Sequence, residues 1–322
     1  MTITPPPPTD LPGLIEAYAA TTGAVLELAS SVTGEAAERE TDCPGWTVLD
    51  QVRHVLSVEG LLLGESIPQV DVSGYAHVRS EFGGLIEMLV EGRRALGVDE
   101  VVAQLRSVVE RRLAVLRDPA LTVSTPSFGP LGPAPLGEVL TLRVFDIWCH
   151  EQDVREALGV PGGFAGASAA SVASAASVTA PAAVASVTAP AAASVAIGRA
   201  LSGVPRALAR GAGLAAGDVV RLVVSGPVAV DYAVTMVAGP DGRLRGMPLG
   251  SGVGGSCAEG VGGSVAGPGA SEGPEPTVTI GLTTREFTRR VAGRWPVSRL
   301  APTVVGDAAV AARVLEALVV TP

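Results

Sequence analysis

The stretch RVFDIWCHEQDVREA, Arg143 to Ala157, sets an aspartate at 146, a histidine at 150 and a second aspartate at 153. On a helix of 3.6 residues per turn these three share one stripe, with Arg143 one turn before them. Asp146 and His150 form an i, i+4 pair close enough to hold one ion, and a carboxylate with an imidazole suits Zn²⁺ or another borderline divalent metal. The same spacing serves equally well for a surface hydrogen bond or ion pair. A metal site needs a third ligand from another helix. His54, one of three histidines in the chain, shares a stripe with Val58 and Leu61 and is the candidate. Three protein ligands would leave a position open for a thiol, deprotonated by the metal, or for a water that becomes a hydroxide for hydrolysis.

Other reactive residues offer less. Cys149 adjoins His150, but neighbouring helix positions point about 100° apart, which rules against a Cys/His dyad. Cys43, ahead of Pro44, reads as a turn cysteine, His77 beside Tyr75 as a surface residue, and Trp46 and Trp148 as core anchors or pocket walls. Cys43, Cys149 and Cys257 are odd in number with no CxxC pair, so neither a disulfide framework nor a thiolate zinc site is indicated, and a reducing cytoplasm fits. No glycine pattern forms a phosphate-binding fingerprint. The net charge of −9, without any basic run interleaved with aromatics, argues against nucleic acid as a partner. The N-terminus, MTITPPPPTDLPGLIEAY, lacks a secretory pattern. The longest uncharged stretch, Ala157 to Gly198, is Ala, Ser, Thr and Gly broken by three prolines, too poor in large apolar residues for a membrane span.

The elements that must carry these residues follow from periodicity. Leu14, Tyr18, Val25 and Leu28 predict a first helix over about Asp10 to Val32. Thr47 with Asp50 three residues on is a capping-box pattern opening a second helix over Val48 to about Gly64, which bears His54. Val101 to Leu116 predicts a third, Pro119, Pro126, Pro130 and Pro133 then interrupt the pattern, and a fourth helix with Pro135 in its first turn runs to Gly159, bearing the Asp/His stripe. Four such helices imply a bundle. ASVTAPAA at 176–183 recurs at 185–192, and 161–195 reads as an Ala/Ser-rich linker or insertion. Beyond it, Val-rich runs (DVVRLVVSGP, VAVDYAVTMVAGPDG, TVTIGLT) predict strands, TTREFTRRVAG and GDAAVAARVLEALVV predict helices, and a Gly/Ser-rich loop spans 250–276. The expected fold class is α+β: a helical bundle over 1–160 and a small α+β unit over 196–322.

TDCPGWTVLDQVRHV, followed by LRVFDIWCHEQDVREALGVPG, closely resembles the mycothiol-dependent maleylpyruvate isomerase family of actinobacteria, whose N-terminal half is a DinB-like four-helix bundle. The resemblance covers about 1–160. It implies a divalent metal, usually zinc, held by His54, Asp146 and His150, with mycothiol as the low-molecular-weight thiol cosubstrate. It also implies addition of that thiol to an electrophilic small molecule, as isomerase or thiol transferase. Asp146 stands where the family's isomerase has glutamate, shortening the ligand by one methylene, roughly 1.5 Å. Asp153 would orient His150 or pair with Arg143 or Arg155. REFTRRVAGR and VVGDAAVAARVLEAL are similar to the family's sterol-carrier-type C-terminal domain, which places an arginine near the metal; Arg294 is the residue assigned to that role, with Arg290 second. A non-catalytic metal-binding or sensor protein on the same fold, and a metal-dependent hydrolase, are the competing readings.

Overall fold

The computed structural model describes residues 1–160, 190–249 and 274–321. Helix α1 (Leu11–Ser31) opens with Pro12 in its first turn and Asp10 as N-cap, its side chain accepting from the Gly13 amide. Helix α2 (Val48–Leu61) starts at the expected capping box, Thr47 and Asp50 each satisfying the other's backbone amide. It stops at Leu61 rather than Gly64. A short α3 (Glu81–Glu91), capped by Ser80, lies between the second and third expected helices, and α4 (Val98–Leu116) follows. Helix α5 (Leu136–Leu158) carries the Asp/His stripe and ends at Gly159, whose φ of +70° is the left-handed cap that glycine adopts without strain.

Helices α1, α2, α4 and α5 pack as the expected bundle, with α3 laid against α2. The core between them includes Tyr18, Leu28, Val55, Leu56, Leu105, Leu140, Val144 and Trp148. The proline-rich stretch before α5, which breaks the helical pattern in sequence, forms an antiparallel hairpin of β2 (Pro126–Gly129) and β3 (Gly132–Pro135). Proline is tolerated there because a two-stranded ribbon is all edge, where missing N–H groups leave no ladder unpaired.

Helix α6 (Pro190–Gly211) corrects the linker boundary. Residues 161–189 lie outside the described residues, but 190–195 belong to this helix, with Ala192 to Val195 buried. Proline suits a helix start and alanine is the best helix former, so a low-complexity composition reads equally well as a helix once a partner surface exists. That surface is α5 and α1, against which α6 packs. It also explains why α5 is buried nearly all round.

The rest is a six-stranded mixed sheet in the order β1 (Thr2–Thr4), β5 (Ala229–Ala238), β4 (Val219–Ser225), β7 (Val278–Thr283), β8 (Thr303–Gly306), with β6 (Leu244–Pro248) also paired to β5. Among the described strands only β4 and β7 run parallel. Strands β4 and β5 alternate buried and exposed positions, as expected of a sheet covered on one face. Helices α7 (Thr284–Val291) and α8 (Ala308–Ala317) pack on it, with Thr283 and Asp307 as their N-caps. The α+β class holds. Strand β1 was not anticipated, and it joins the chain's first residues to the sheet of the second half. Of the expected loop at 250–276, residues 250–273 lie outside the described residues. No helix among the described residues is long and apolar enough to cross a membrane.

Candidate metal centre

Helix α2 delivers His54 and α5 delivers Asp146 and His150 to one point in the bundle. One donor atom from each lies within 4.8 Å of the others, the single group of three such ligands among the described residues. His54 Nε2 is 3.1 Å from Asp146 Oδ2, His150 Nε2 is 3.6 Å from Asp146 Oδ1, and the imidazole centroids are 4.4 Å apart. The histidines are 4% and 6% exposed, whereas the Asp146 side chain keeps 31% of its surface accessible. The cluster is therefore closed on its imidazole side and open at the carboxylate.

The donor set suits a divalent ion, and the surrounding bonds prepare it. Thr41 Oγ1 donates to the Trp46 carbonyl (2.9 Å), so its lone pair accepts from Gln51 Nε2 (2.6 Å). That orients the Gln51 amide with Oε1 toward His150, where Nδ1 lies 2.5 Å away and must donate. With Nδ1 committed to Gln51, Nε2 is the nitrogen left facing Asp146, and it is the one whose lone pair a metal would take. Burial, then the nearby His150, lowers the His54 pKa to about 4, so this ring is neutral at neutral pH. For His150 burial acts in the same direction but is outweighed by Asp146 and Asp153, and its pKa rises. Asp146 is held well below the carboxylate range: burial opposes ionisation, but Arg143, His54 and His150 prevail.

Behind Asp146 lies a buried network that the sequence reading did not find. Arg143 Nη1 donates to Asp146 Oδ2 (2.6 Å) and its Nε to Glu59 Oε1 (2.8 Å). Glu59 Oε2 accepts from Tyr18 (2.7 Å) and Arg112 (3.3 Å). The only signal in sequence was an acid, Glu59, on an otherwise apolar face of α2. Gln51 was missed as well, although it precedes His54 by three residues and so shares its face.

Asp153 pairs with neither Arg143 nor Arg155. Its Oδ1 accepts from Arg289 Nη1 (2.7 Å), and both oxygens accept from Arg294 Nε (3.1 and 3.0 Å), with Oδ2 3.6 Å from His150 Nδ1. Burial would raise its pKa, but Arg294, the nearby His150 and Arg289 hold it far down. Arg294 thus reaches the site through Asp153, its Nη1 spent on the Ala292 carbonyl. Arg290 does not reach it: its guanidinium donates to the carbonyls of Leu315, Trp295 and Glu316, tying α7 to the end of α8. Arg289 also bonds Asp42 Oδ2 (3.0 Å), which accepts from Trp295 as well.

Both described cysteines are held toward the thiol form. Burial pushes the Cys43 thiol up to about 11 and the Cys149 thiol higher still. Cys257 lies outside the described residues. His77 is no loose surface residue, since Nε2 bonds Glu87 at 2.8 Å.

No curated protein matches this chain. Similar solved structures include the crystal structures of the mycothiol-dependent maleylpyruvate isomerase and of a histidine-to-alanine mutant of it. They are 15% and 14% identical, with TM-scores of 0.49 and 0.47, each alignment covering 91% of this chain and 92% of the other. Residues 18–155, which contain the whole cluster, match the family model of the mycothiol maleylpyruvate isomerase N-terminal domain. Over residues 18–155, this chain therefore carries a mycothiol maleylpyruvate isomerase N-terminal domain.

Proposed function

We propose that the chain holds a divalent metal, zinc by its donor set, on His54, Asp146 and His150, and uses it to present mycothiol to an electrophilic small molecule, as an isomerase or thiol transferase. The observation that carries this reading is the convergence of two imidazoles and a carboxylate within 4.8 Å, with His150 locked by Gln51 in the ligating tautomer. A bound divalent ion supplies Lewis acidity, which lowers the pKa of a thiol so that it is a thiolate at neutral pH. The protein's own groups do the rest. Arg143 keeps Asp146 ionised and aimed, Gln51 holds the His150 proton on Nδ1, and the accessible side of Asp146 leaves the approach for thiol and substrate. The described cysteines stay protonated, which favours a thiol brought from outside, and a reducing cytoplasm suits such a cosubstrate.

Arg294 is assigned a catalytic role: anchored to Asp153 and Ala292, its cationic guanidinium sits at the junction of the two halves, suited to an anionic group on the substrate. The test is metal content of the purified protein by plasma mass spectrometry, with His150→Ala and Asp146→Ala beside it, followed by mycothiol titration in a calorimeter. Near-stoichiometric metal lost in both variants, with mycothiol binding only to the loaded protein, is expected. Wild type that carries no metal and takes up no zinc refutes the reading, while loaded protein indifferent to mycothiol reduces it to a non-catalytic metal-binding protein or a hydrolase.

A further inference from the structure

The imidazoles have a third aromatic neighbour. The Trp46 ring centroid lies 5.1 Å from that of His54 and 5.6 Å from that of His150, tilted 39° and 32° to them, and Trp46 is 7% exposed. The indole is turned by one bond, from Nε1 to Glu87 Oε2 at 2.8 Å. Glu87 comes from α3 and is 1% exposed. The same Oε2 accepts from His77 Nε2 at 2.8 Å, and Arg94 Nη2 sits 2.8 Å from Oε1. The His77 ring is seated under Gly45, the residue before Trp46. Gly45 has a φ of +79°, and a Cβ there would collide with His77 Nδ1, so glycine is needed both for the turn and for the close approach. Glu87 is an acid with no access to solvent and no contact with the candidate ligands, and nothing in the proposed chemistry uses it.

We propose that Glu87, steadied by His77 and Arg94, is a positioning residue: it clamps the Trp46 indole against His54 and His150 and so fixes the orientation of both imidazoles. A buried carboxylate is costly unless compensated, and here Oε2 accepts from the Trp46 indole and His77 while Oε1 lies against the Arg94 charge without a hydrogen bond of its own. The loop between α2 and α3 thereby contributes to the site without touching it. The ring orientation needs no ion. Its consequence for metal affinity rests on the metal-site reading.

The experiment compares Glu87→Leu, Glu87→Gln, Trp46→Phe and the Glu87→Leu/Trp46→Phe double variant. It uses two readouts: the imidazole Cε1–H resonances of His54 and His150 in the metal-free protein, and cobalt affinity with the cobalt absorption spectrum. Glu87→Leu and Trp46→Phe should each shift both resonances and weaken cobalt binding by about tenfold, the low end for residues acting behind a ligand. The double variant should be no worse than either alone, because both remove one interaction. Glu87→Gln, which keeps an acceptor for the indole, should stay within about threefold of wild type. Should Glu87→Leu not fold, His77→Leu reads the same contact with the Arg94 pairing kept. Unmoved resonances and unchanged cobalt affinity alongside a lowered Tm, or additive effects in the double variant, overturn the proposal. Moved resonances in a protein that takes up no cobalt keep the clamp and sink the metal reading.

Discussion

Replacing Gln51 with methionine tests how far the arrangement of the site is made by hydrogen bonds around the ligands. Methionine keeps the length of the side chain and removes both amide groups, so the 2.5 Å contact to His150 Nδ1 and the 2.6 Å bond to Thr41 are lost together. The Thr41 bond is a folding term of about 1 kcal/mol and should appear as a small fall in Tm. Loss of the acceptor acts differently. His150 Nδ1–H turns to Asp153 Oδ2, 3.6 Å away on a carboxylate already bonded by Arg289 and Arg294, or the proton moves to Nε2 and blocks the ligating lone pair. Partners of this kind are typically worth 10- to 100-fold in metal affinity, about 1.4 to 2.7 kcal/mol. Zinc affinity, measured by competition with a chromophoric chelator, should therefore fall by that factor while the protein stays folded. Thr41→Val is the control: it frees the amide to flip without removing it, and should cost less. If Gln51→Met matches wild-type affinity, His150 is not held by Gln51 in the way the distances imply, and the tautomer argument fails.

Three further outcomes are expected. Asp146→Asn should lose more than any partner variant, beyond about 100-fold in zinc affinity, whereas Asp146→Glu should keep near-stoichiometric metal, both read by plasma mass spectrometry. Asp42 has a folded pKa below its ordinary value, because burial is outweighed by bonds from Arg289 and Trp295 and by the charges of Arg289 and Arg299. Its stabilisation is thus present above an unfolded pKa of about 3.9 and lost as pH falls through the lower folded value, so Asp42→Asn should cost about 1 kcal/mol in urea unfolding at pH 7 and progressively less as the pH is taken below about 3.9. In a Cys257→Ser background, Cys43 and Cys149 should alkylate far more slowly at pH 7.5 in the native protein than in urea, and fast native labelling of either would contradict the burial that holds them protonated.

What was legible in the sequence was whatever repeats locally. The caps at Thr47 and Asp307 and the apolar stripes of α1, α2 and α4 could be read because each depends on residues within a turn or two. The convergence of His54 with Asp146 and His150 came from two helical faces and a resemblance. Hidden were the elements whose form depends on distant partners: β1, which becomes a strand only beside β5; the β2 and β3 hairpin, masked by proline; and α6, masked by alanine. The partners of the site were hidden for the same reason. Asp153 finds Arg289 136 residues away and Arg143 finds Glu59 84 away, separations at which spacing carries no information.

Those long-range partners also bear on where the chain can be divided. A cut near 160 follows the change from helices to sheet, yet β1 belongs to the sheet and Asp153 belongs as much to α7 as to α5. Arg289 and Asp153 are both 0% exposed, and Arg289 reaches on to Asp42 in the loop before α2. Removing one side of such a pair strands a buried charge, which typically costs 3–5 kcal/mol, a large part of what a domain of this size has to spend. Residues 1–160 alone would carry that penalty one atom group away from His150, since Asp153 without its arginines is an ionised acid 3.6 Å from Nδ1 and free to compete with Gln51 for its proton. The second half therefore acts on the cluster even apart from any contact Arg294 makes with substrate: by neutralising Asp153 it leaves Gln51 as the unopposed acceptor, and the ligating form of His150 becomes a property of the whole chain rather than of the bundle.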